Sequence, residues 1–512
     1  MSDEHRTPTN TLSRRHFLKS AAVGAGMLAA GGLPALADSQ AVKPNIVLLF
    51  TDEHRPDALG CAGNRFISTP HLDRLAASGV RFTNTYCQGP LCQPSRASII
   101  FGQHVRDHGI VWNEMNMDPK RPNMMKQLQE AGYTTAVVGK THFYHRPPSG
   151  TPDMRRNADF VRSFGFDFAA ESFDTQVHMY PRLITAYKEY LQEKGLLKTF
   201  LKEMLPIVQG RGHYFDGVTS EIPAEDSRIN HTARQALAWL KSYDRSQPYF
   251  LWVSFVEPHP PYVDFHPIAD QYREAAIPVG FLDPPDIPNN AWGRYLTALA
   301  QWPILLTKSE EYVRQSARAY YASITQVDQQ MGEIIRLVEE RGEADRTWFL
   351  FTSDHGEMLG QHSLWSKLVF YGPSVKVPGL IRPPRGVPPK EITAPVQSVD
   401  LTATILEIAG AKPLPGATGR SLLPLMNGQG PEPVAAFSEL AGPRGQGYYF
   451  VMVATPEYRY LYDRASGTAC ELYDLKNDPL EQRNRLGDPA FASIRKAVHG
   501  DLVEPFMRGK KA

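Results

Sequence analysis

The chain has 512 residues, of which 42% are apolar and 21% are charged, and its formal net charge at neutral pH is +1. This balance is typical of a globular protein with ample material for an apolar core. It argues against a nucleic-acid partner, because neutralising phosphates requires a basic surface. Past the N-terminus no run of about 18 apolar residues occurs, so we expect no stable membrane anchor in the mature protein.

The first 37 residues have the layout of an export signal. Arg14 and Arg15 form a twin-arginine pattern, an Ala/Gly-rich apolar stretch follows at residues 21–33, and residues 35–37 match an A-x-A cleavage pattern. The twin arginine predicts recognition by the Tat export machinery, which carries folded proteins. We therefore expect a periplasmic or secreted protein from which residues 1–37 have been removed.

After the signal, buried-strand patterns alternate with helix patterns. Uninterrupted apolar and β-branched runs predict four fully buried strands, at residues 45–51, 134–138, 249–256 and 347–352. Before the last strand lies the clearest helix pattern, in which apolar residues recur at steps of three and four from Val313 to Val338. Such alternation indicates an α/β fold with a mostly parallel sheet covered by helices.

Polar residues follow each predicted strand at its carboxyl end. They are Asp52-Glu53-His54-Arg55, Gly139-Lys140-Thr141-His142, Glu257-Pro258-His259-Pro260-Pro261 and Ser353-Asp354-His355-Gly356-Glu357. Because ligands of an open parallel sheet bind where the carboxyl ends of its strands meet, these residues predict one shared site. Its carboxylates suit a hard divalent cation, and its cationic side chains suit an anionic ester. A single aspartate after a strand is more often a helix cap, so the prediction depends on all four strand ends together.

One of the four cysteines stands in a C-x-P-S-R segment, from Cys92 to Arg96. Pro94 suits the first turn of a helix, which places Cys92 at a helix N-terminus, where unpaired N–H groups favour a bound anion. An unmodified thiol there would be an oxidisable nucleophile of low pKa; the alternative is a small buried cysteine without chemistry. The other cysteines form no metal-binding pattern, and a disulfide between Cys61 and Cys87 is left open.

Together these segments resemble the sulfatase family of the alkaline-phosphatase-like superfamily, over nearly the whole mature chain. The matching segments are residues 44–52, 69–76, 92–96, 138–142, 254–262, 352–360, 364–367 and 471–479. The resemblance implies an alkaline-phosphatase-like fold, with a large mostly parallel central sheet flanked by helices and a small C-terminal antiparallel subdomain. The chain then divides into the signal at 1–37, a catalytic domain at 42–428 and the subdomain at 431–512.

The family implies a modified nucleophile. Its maturation enzyme oxidises the cysteine of C-x-P-S-R, here Cys92, to Cα-formylglycine, an aldehyde that stands hydrated as a diol. One hydroxyl, activated by a bound calcium ion, attacks sulfur and releases the alcohol. The second hydroxyl then loses its proton, the aldehyde reforms and sulfate is expelled. A sulfated small molecule or carbohydrate is the implied substrate, and the formylglycine-generating enzyme is a partner.

By resemblance, the metal ligands are Asp52, Glu53, Asp354, His355 and, after modification, residue 92. The family often has Asp, Asn or Gln where Glu53 and His355 stand. A nitrogen ligand is unusual for calcium, which prefers oxygen, so manganese is an alternative to calcium. The longer side chain of Glu53 either binds the metal or turns away from it.

The remaining site residues are assigned to the substrate and to the diol. Arg96 orients the diol, His142 positions it, and Asn113 makes a polar contact. The sulfate oxygens are bound by Lys140, His259 and Lys367, and a lysine or histidine acts as acid on the leaving oxygen. Phe101 and Gln103 replace the Thr and Arg that are usual in the family. The C-x-P-S-R core is intact, so we expect the modification to occur.

Two other functions are weighed against this one. Phosphonate monoester and phosphodiester hydrolases of the same superfamily share the aldehyde and the metal. They tend to carry Tyr and Thr where this chain has Lys140 and His142, whose donors fit a sulfate-ester pocket. A protein that binds sulfated ligands without turnover would instead keep Cys92 as a thiol. The sequence does not predict the alcohol half of the substrate.

Overall fold

The computed structural model describes residues 43–145, 148–180, 182–209, 211, 214–300, 304–442 and 447–509. The predicted export signal at residues 1–37 lies outside these ranges. Among the helices that the ranges contain, none is both long enough and apolar enough to cross a membrane.

The strands of the described ranges are numbered in chain order. They are β1 Asn45–Thr51, β2 Val80–Phe82, β3 Thr85–Tyr86, β4 Thr134–Lys140, β5 Phe168–Ser172, β6 Val218–Ser220, β7 Tyr249–Ser254, β8 Val263–Phe265, β9 Thr347–Ser353, β10 Lys376–Val377, β11 Gly379–Arg382, β12 Lys390–Ile392, β13 Val396–Gln397, β14 Ala436–Ala441, β15 Tyr449–Ala454, β16 Tyr458–Asp463 and β17 Thr468–Asp474.

The α-helices are numbered in the same way. They are α1 Pro70–Ala77, α2 Cys92–Phe101, α3 Val105–His108, α4 Met124–Glu130, α5 Ala158–Arg162, α6 Thr175–Met179, α7 Ala186–Glu193, α8 Leu197–Val208, α9 Arg228–Ser242, α10 Ile268–Tyr272, α11 Ala291–Leu299, α12 Glu310–Glu340, α13 Gly372–Val375, α14 Ser398–Ile408, α15 Leu423–Met426, α16 Ala492–Val498 and α17 Glu504–Met507.

Eight strands form the central sheet, in the order β12-β2-β11-β9-β1-β7-β4-β5. Neighbours run parallel except that β11 lies antiparallel to both β2 and β9. Strands β14 to β17 form a separate antiparallel sheet in chain order. The predicted fold, a large mostly parallel sheet with a small antiparallel C-terminal sheet, is therefore confirmed.

The central strands are uninterrupted apolar runs because both faces of the sheet are covered. In β1, Ile46, Leu48 and Phe50 join one apolar cluster, whereas Val47 and Leu49 join a second cluster on the opposite face. Residues of α2 and α14 complete the first cluster, and residues of α9 and α12 complete the second. The periodic helix predicted from the sequence, α12, thus covers one face of the sheet.

The four predicted strands begin where expected and end within two residues of the predicted ends. Strand β5 was not predicted. Its sequence, Phe-Ala-Ala-Glu-Ser, is short and contains no apolar run, because β5 is the edge strand beside β4 and only its last residue is buried. Its position matters, since it extends the carboxyl edge of the sheet beyond β4.

The C-terminal sheet supports the segment that leads into α2. Leu440, Phe450 and Met452 pack in one apolar cluster with Tyr86 and Leu91. A backbone hydrogen bond of 2.8 Å from the N–H of Glu439 to the carbonyl of Gln88 ties the two segments together. The opposite face of the sheet is covered by the C-terminal helices. The predicted boundary between the two domains, at residues 428–431, stays a prediction.

Candidate active site

Two aspartates meet at the carboxyl ends of adjacent parallel strands. Strands β1 and β9 pair with Thr51 opposite Ser353, so the next residue of each, Asp52 and Asp354, emerges at the same edge. Both side chains are fully buried. The neighbouring strands β7 and β4 bring their own polar residues to this edge, so the structure gathers the strand ends into one site.

Arg96 is the cation that joins these two carboxylates. Its Nη2 donates to Asp52 Oδ2 at 2.9 Å, and its Nε donates to Asp354 Oδ2 at 2.8 Å. Its Nη1 donates to the carbonyl of Lys140 at 2.7 Å and to Ser254 Oγ at 3.0 Å. The guanidinium is fully buried and thus fixes four strand ends, those of β1, β4, β7 and β9, relative to α2. Its predicted contact with a diol at residue 92 stays a prediction.

Cys92 is the first residue of α2, which confirms its predicted place at a helix N-terminus. Its Sγ lies 3.1 Å from His355 Nε2 and 3.8 Å from Asp52 Oδ1. Burial acts to raise the pKa of the Cys92 thiol, but nearby positive charges outweigh it and hold this pKa well below its ordinary value. The groups responsible are, in order of their effect, Lys140, Lys367, His355 and His142. Position 92 is therefore built to hold an anionic nucleophile.

Four buried groups form a candidate metal site, namely Asp52, Cys92, Asp354 and His355, whose ligand atoms all lie within 4.8 Å of one another. The donor chemistry fits a divalent cation. Burial and the charge of Asp52 raise the pKa of Asp354 to about 6, a repulsion that a bound cation would relieve. The Nδ1 of His355 lies 3.0 Å from the carbonyl of Gly356, which orients its Nε2 toward Cys92.

Glu53 lies apart from these four ligands. Its backbone is left-handed (φ 65°), and its carboxylate accepts hydrogen bonds from Ser366 Oγ and Lys367 Nζ, each at 2.6 Å. His259 Nε2 is 3.4 Å away. Together with Asp52 and His259, Glu53 forms a second group with metal-binding potential. The structure thus places its carboxylate among the anion-binding cations, and its role as a metal ligand stays a prediction.

Glu357 is a buried residue that the sequence placed among the polar residues after β9 without giving it a role. Its Oε1 accepts hydrogen bonds from the N–H groups of Leu359, at 2.7 Å, and Ser366, at 2.5 Å. Burial and the charge of Glu53 raise the pKa of Glu357 well above its ordinary value. Burial opposes ionisation of Glu53 too, but Lys367 and His259, with a smaller contribution from Glu357, hold its pKa below the ordinary value.

The predicted anion-binding residues lie around Cys92. Lys140 Nζ is 2.5 Å from Asp52 Oδ2 and also contacts Asp174 Oδ1. Lys367 Nζ is 2.7 Å from His259 Nε2, whose ring Nδ1 lies 2.6 Å from the carbonyl of Pro260. Because each ammonium group is held by a carboxylate, both are fixed in position before any ligand binds. Asp174 was missed by the sequence analysis, since it follows the unpredicted strand β5.

Asn113 is close to the nucleophile, but its visible role is local. Its Oδ1 accepts a hydrogen bond of 2.9 Å from the N–H of Gln93, in the first turn of α2. It therefore caps the helix that presents Cys92, and its substrate contact stays a prediction. The disulfide left open by the sequence is not formed, since Cys61 and Cys87 are both free in the structure.

Two protein-family models together match residues 44–507 of the chain. The family model described as Sulfatase matches residues 44–411, and the model described as N-sulphoglucosamine sulphohydrolase, C-terminal, matches residues 360–507. Choline-sulfatase of Rhizobium meliloti is 31% identical over 485 residues, which cover 90% of this chain and 87% of that protein. The multifunctional alkaline phosphatase superfamily protein PehA of Trinickia caryophylli is 27% identical and covers 88% of this chain and 93% of its own.

Among solved structures, the phosphonate monoester hydrolase SpPMH from Silicibacter pomeroyi superposes with a TM-score of 0.75 at 25% sequence identity. The superposition covers 92% of this chain and 96% of that one. Both the central sheet and the C-terminal sheet therefore lie within the shared architecture.

Proposed function

The chain belongs to the sulfatase family and is a sulfuric ester hydrolase, and from this premise we propose that it cleaves a sulfated small molecule or carbohydrate with a nucleophile formed from Cys92. The observation that carries the proposal is the setting of Cys92 Sγ, beside two buried carboxylates and within a ring of cationic groups. That setting suits an anionic nucleophile, an anionic ester and a divalent cation in one site.

The proposal includes two groups that the chain must acquire. Cα-formylglycine, formed from Cys92 by a maturation enzyme, offers one hydroxyl for attack on sulfur and a second whose deprotonation lets sulfate leave by C–O cleavage. Calcium, or alternatively manganese, would be held by Asp52, Asp354, His355 and residue 92. When bound, the cation supplies Lewis-acid activation of the hydroxyl at residue 92 and neutralises the carboxylate pair.

The chain's own side chains bind and orient the ester. Lys140, His259 and Lys367 take the sulfate oxygens, because their donors already converge on residue 92. The pair formed by Lys367 and His259 holds a proton for the leaving alcohol oxygen. Burial and Lys367 oppose protonation of His259, but the charges of Glu53 and Asp52 raise its pKa above the ordinary value. Arg96 keeps the carboxylates of Asp52 and Asp354 in register.

A second candidate, phosphonate monoester hydrolysis, is favoured by the similarity to SpPMH and to PehA. The two differ in the groups that surround the ester. Lys140 and His142 add donors for the three free oxygens of a sulfate ester, whereas a phosphonate monoester offers two such oxygens. We therefore place sulfate-ester hydrolysis first.

The test compares kcat/KM for 4-nitrophenyl sulfate with kcat/KM for 4-nitrophenyl phenylphosphonate. We expect the sulfate ester to be the better substrate, in enzyme isolated from the periplasm of its own host, where the Tat signal predicts it to be. The mass of the peptide that contains residue 92, taken from the same sample, should be that of the aldehyde. Faster phosphonate turnover would assign the second candidate, and binding of sulfate esters by a Cys92 thiol without turnover would assign a binding protein. Recovery of the protein only from the cytoplasm would refute the proposed location.

Replacing Glu53 by glutamine should lower activity without removing the metal. The amide keeps only one acceptor oxygen, so it cannot accept from both Ser366 Oγ and Lys367 Nζ as Glu53 does. The negative charge that faces Lys367 and His259 is also lost, so these two residues are held less firmly. We expect kcat/KM for the sulfate ester to fall about 10- to 100-fold, as for other residues that orient a site. Metal content, measured by elemental analysis after gel filtration, should match that of the unsubstituted enzyme.

The comparison variant is Asp354→Asn, which alters a member of the four-ligand cluster and should lose metal. If Glu53→Gln loses metal to the same extent, Glu53 is a metal ligand, as the family resemblance suggested. Retained metal together with unchanged kcat/KM would show that Glu53 neither binds the ion nor positions Lys367.

A further inference from the structure

Asp174 is an acid at the solvent-facing side of the site, outside the candidate metal site of Asp52, Cys92, Asp354 and His355. Strand β5 pairs in parallel with β4, with Ser172 opposite Lys140, so Asp174 follows at the carboxyl edge two residues later. Its side chain is 22% exposed, whereas those of Asp52 and Lys140 are 0% and 2% exposed. The carboxylate of Asp174 therefore lies between the buried cluster and the opening to solvent.

The contacts of Asp174 are to two anion-binding residues. Its Oδ1 forms an ion pair with Lys140 Nζ, and its Oδ2 lies 4.0 Å from His142 Nδ1. Burial opposes ionisation, but Lys140 and His142 lower the pKa of Asp174 to about 2, so it is a carboxylate at neutral pH. Asp174 therefore contacts both Lys140 and His142, the two positions at which phosphonate monoester hydrolases tend to carry Tyr and Thr.

The other side of His142 faces the nucleophile. Its side chain is one of the groups that lower the pKa of the Cys92 thiol. The backbone of His142 is left-handed (φ 57°), and Gln93 Nε2 donates to its carbonyl at 3.2 Å. Its backbone is therefore held by the neighbour of Cys92, and its ring lies between Cys92 and Asp174.

If Asp174 only capped α6, its carboxylate would accept a hydrogen bond from a backbone N–H of that helix. Asp174 occupies the N-cap position of α6, but its side chain makes no capping hydrogen bond to that helix. Its carboxylate is instead committed to Lys140 and His142, which belong to another strand end. The energetic cost of burying this acid is offset mainly by the charge of Lys140, with smaller contributions from His142 and His259.

We propose, on the basis of the proposed function, that Asp174 is a positioning residue that orients His142 toward residue 92 and holds Lys140 against the ester. Because Asp174 Oδ2 faces His142 Nδ1, the other ring nitrogen is left to face residue 92 and the ester oxygens. The ion pair with Asp174 holds the ammonium group of Lys140 at the same edge of the site. Removal of Asp174 leaves the ring without a fixed orientation.

The test is a double-mutant cycle between Asp174→Asn and His142→Ala. We expect Asp174→Asn to lower kcat about 10- to 100-fold with a smaller change in KM, and His142→Ala to lower kcat about 100-fold. Because Asp174 acts partly through His142, adding Asp174→Asn to His142→Ala should lower kcat by a smaller factor than Asp174→Asn does alone. Asp174→Glu should recover part of the lost kcat, because it restores the carboxylate.

The matched control is Asp226→Asn, since Asp226 is another largely buried acid, held by Tyr190 and Lys194 away from the site. It should leave kcat unchanged. Multiplicative losses in the double variant, or a loss confined to KM, would overturn the proposal. The cycle is measured on the ester, sulfate or phenylphosphonate, that the unsubstituted enzyme hydrolyses faster. The role of Asp174 can then be tested even if the proposed sulfate-ester activity proves wrong. An enzyme that turns over neither ester overturns both.

Discussion

Replacing Cys92 by alanine should abolish turnover of sulfate esters in a protein that is still folded. The cationic ring of Lys140, His259 and Lys367 remains, so the ester still binds, but no group at residue 92 can attack sulfur. Loss of the nucleophile of an enzyme typically costs about 10⁶-fold in kcat. We therefore expect kcat of Cys92→Ala to lie at least about 10⁴-fold below kcat of the unsubstituted enzyme. The measurement is kcat on 4-nitrophenyl sulfate, with binding of inorganic sulfate followed by calorimetry.

Two further variants separate loss of chemistry from loss of structure. Cys92→Ser supplies one hydroxyl and not two, so it can accept the sulfuryl group but cannot release it by C–O cleavage. Mass spectrometry of that variant after a single turnover should detect serine sulfate. Cys61→Ala, at a partly exposed free cysteine outside the site, should keep full activity. Turnover by Cys92→Ala near the level of the unsubstituted enzyme would refute the assignment of residue 92 as the nucleophile.

The fold was predictable because its strongest signals are local. Strands β1 and β9 are buried on both faces, so their sequences are apolar at every position and stand out without any knowledge of their neighbours. Asp52 and Asp354 could be placed together because parallel strands present their carboxyl ends at one edge. The register of β1 against β9 then brings these two residues side by side.

The parts of the site that were missed depend on contacts between distant segments. Glu357 is significant because it meets Glu53, and no sequence pattern links two acids that far apart. The orientation of Glu53 depends on its left-handed backbone and on Ser366 and Lys367, so its separation from the four-residue cluster was not predictable. Asp174 was missed for a simpler reason, because the edge strand before it carries no apolar run.

Asn113 illustrates the same limit from the other side. The resemblance to the family assigned it a contact with the substrate, which stays a prediction. Its one hydrogen bond to α2, however, depends on where the chain turns after α3, which the sequence alone does not fix. Local patterns therefore predicted which strand ends meet, and three-dimensional contacts decide what the residues at those ends hold.

Replacing Arg96 by methionine should produce the largest loss of stability among substitutions at the site. Methionine keeps much of the apolar stem of the arginine side chain but removes its charge. In the unsubstituted protein the guanidinium of Arg96 lies 5.0 Å from the centre of the Phe50 ring. The carboxylates of Asp52 and Asp354, each bonded to Arg96 and fully buried, would lose their shared counter-charge. Breaking a buried ion pair by removing one partner costs about 3–5 kcal/mol. We expect a decrease of that size in the free energy of unfolding, measured in urea on metal-free protein.

The control is Arg156→Met, which removes an exposed arginine whose Nε lies 3.8 Å from Asp153 Oδ2. Since exposed ion pairs contribute little to stability, this variant should unfold at nearly the urea concentration of the unsubstituted protein. A loss for Arg96→Met as small as that of the control would mean that the carboxylate pair does not depend on Arg96. The expected large loss, by contrast, would show that the charge of Arg96 is what allows the two acids to be buried together. The cation site would then depend on the same residue that anchors α2, because Arg96 fixes both aspartates to the helix that begins with Cys92.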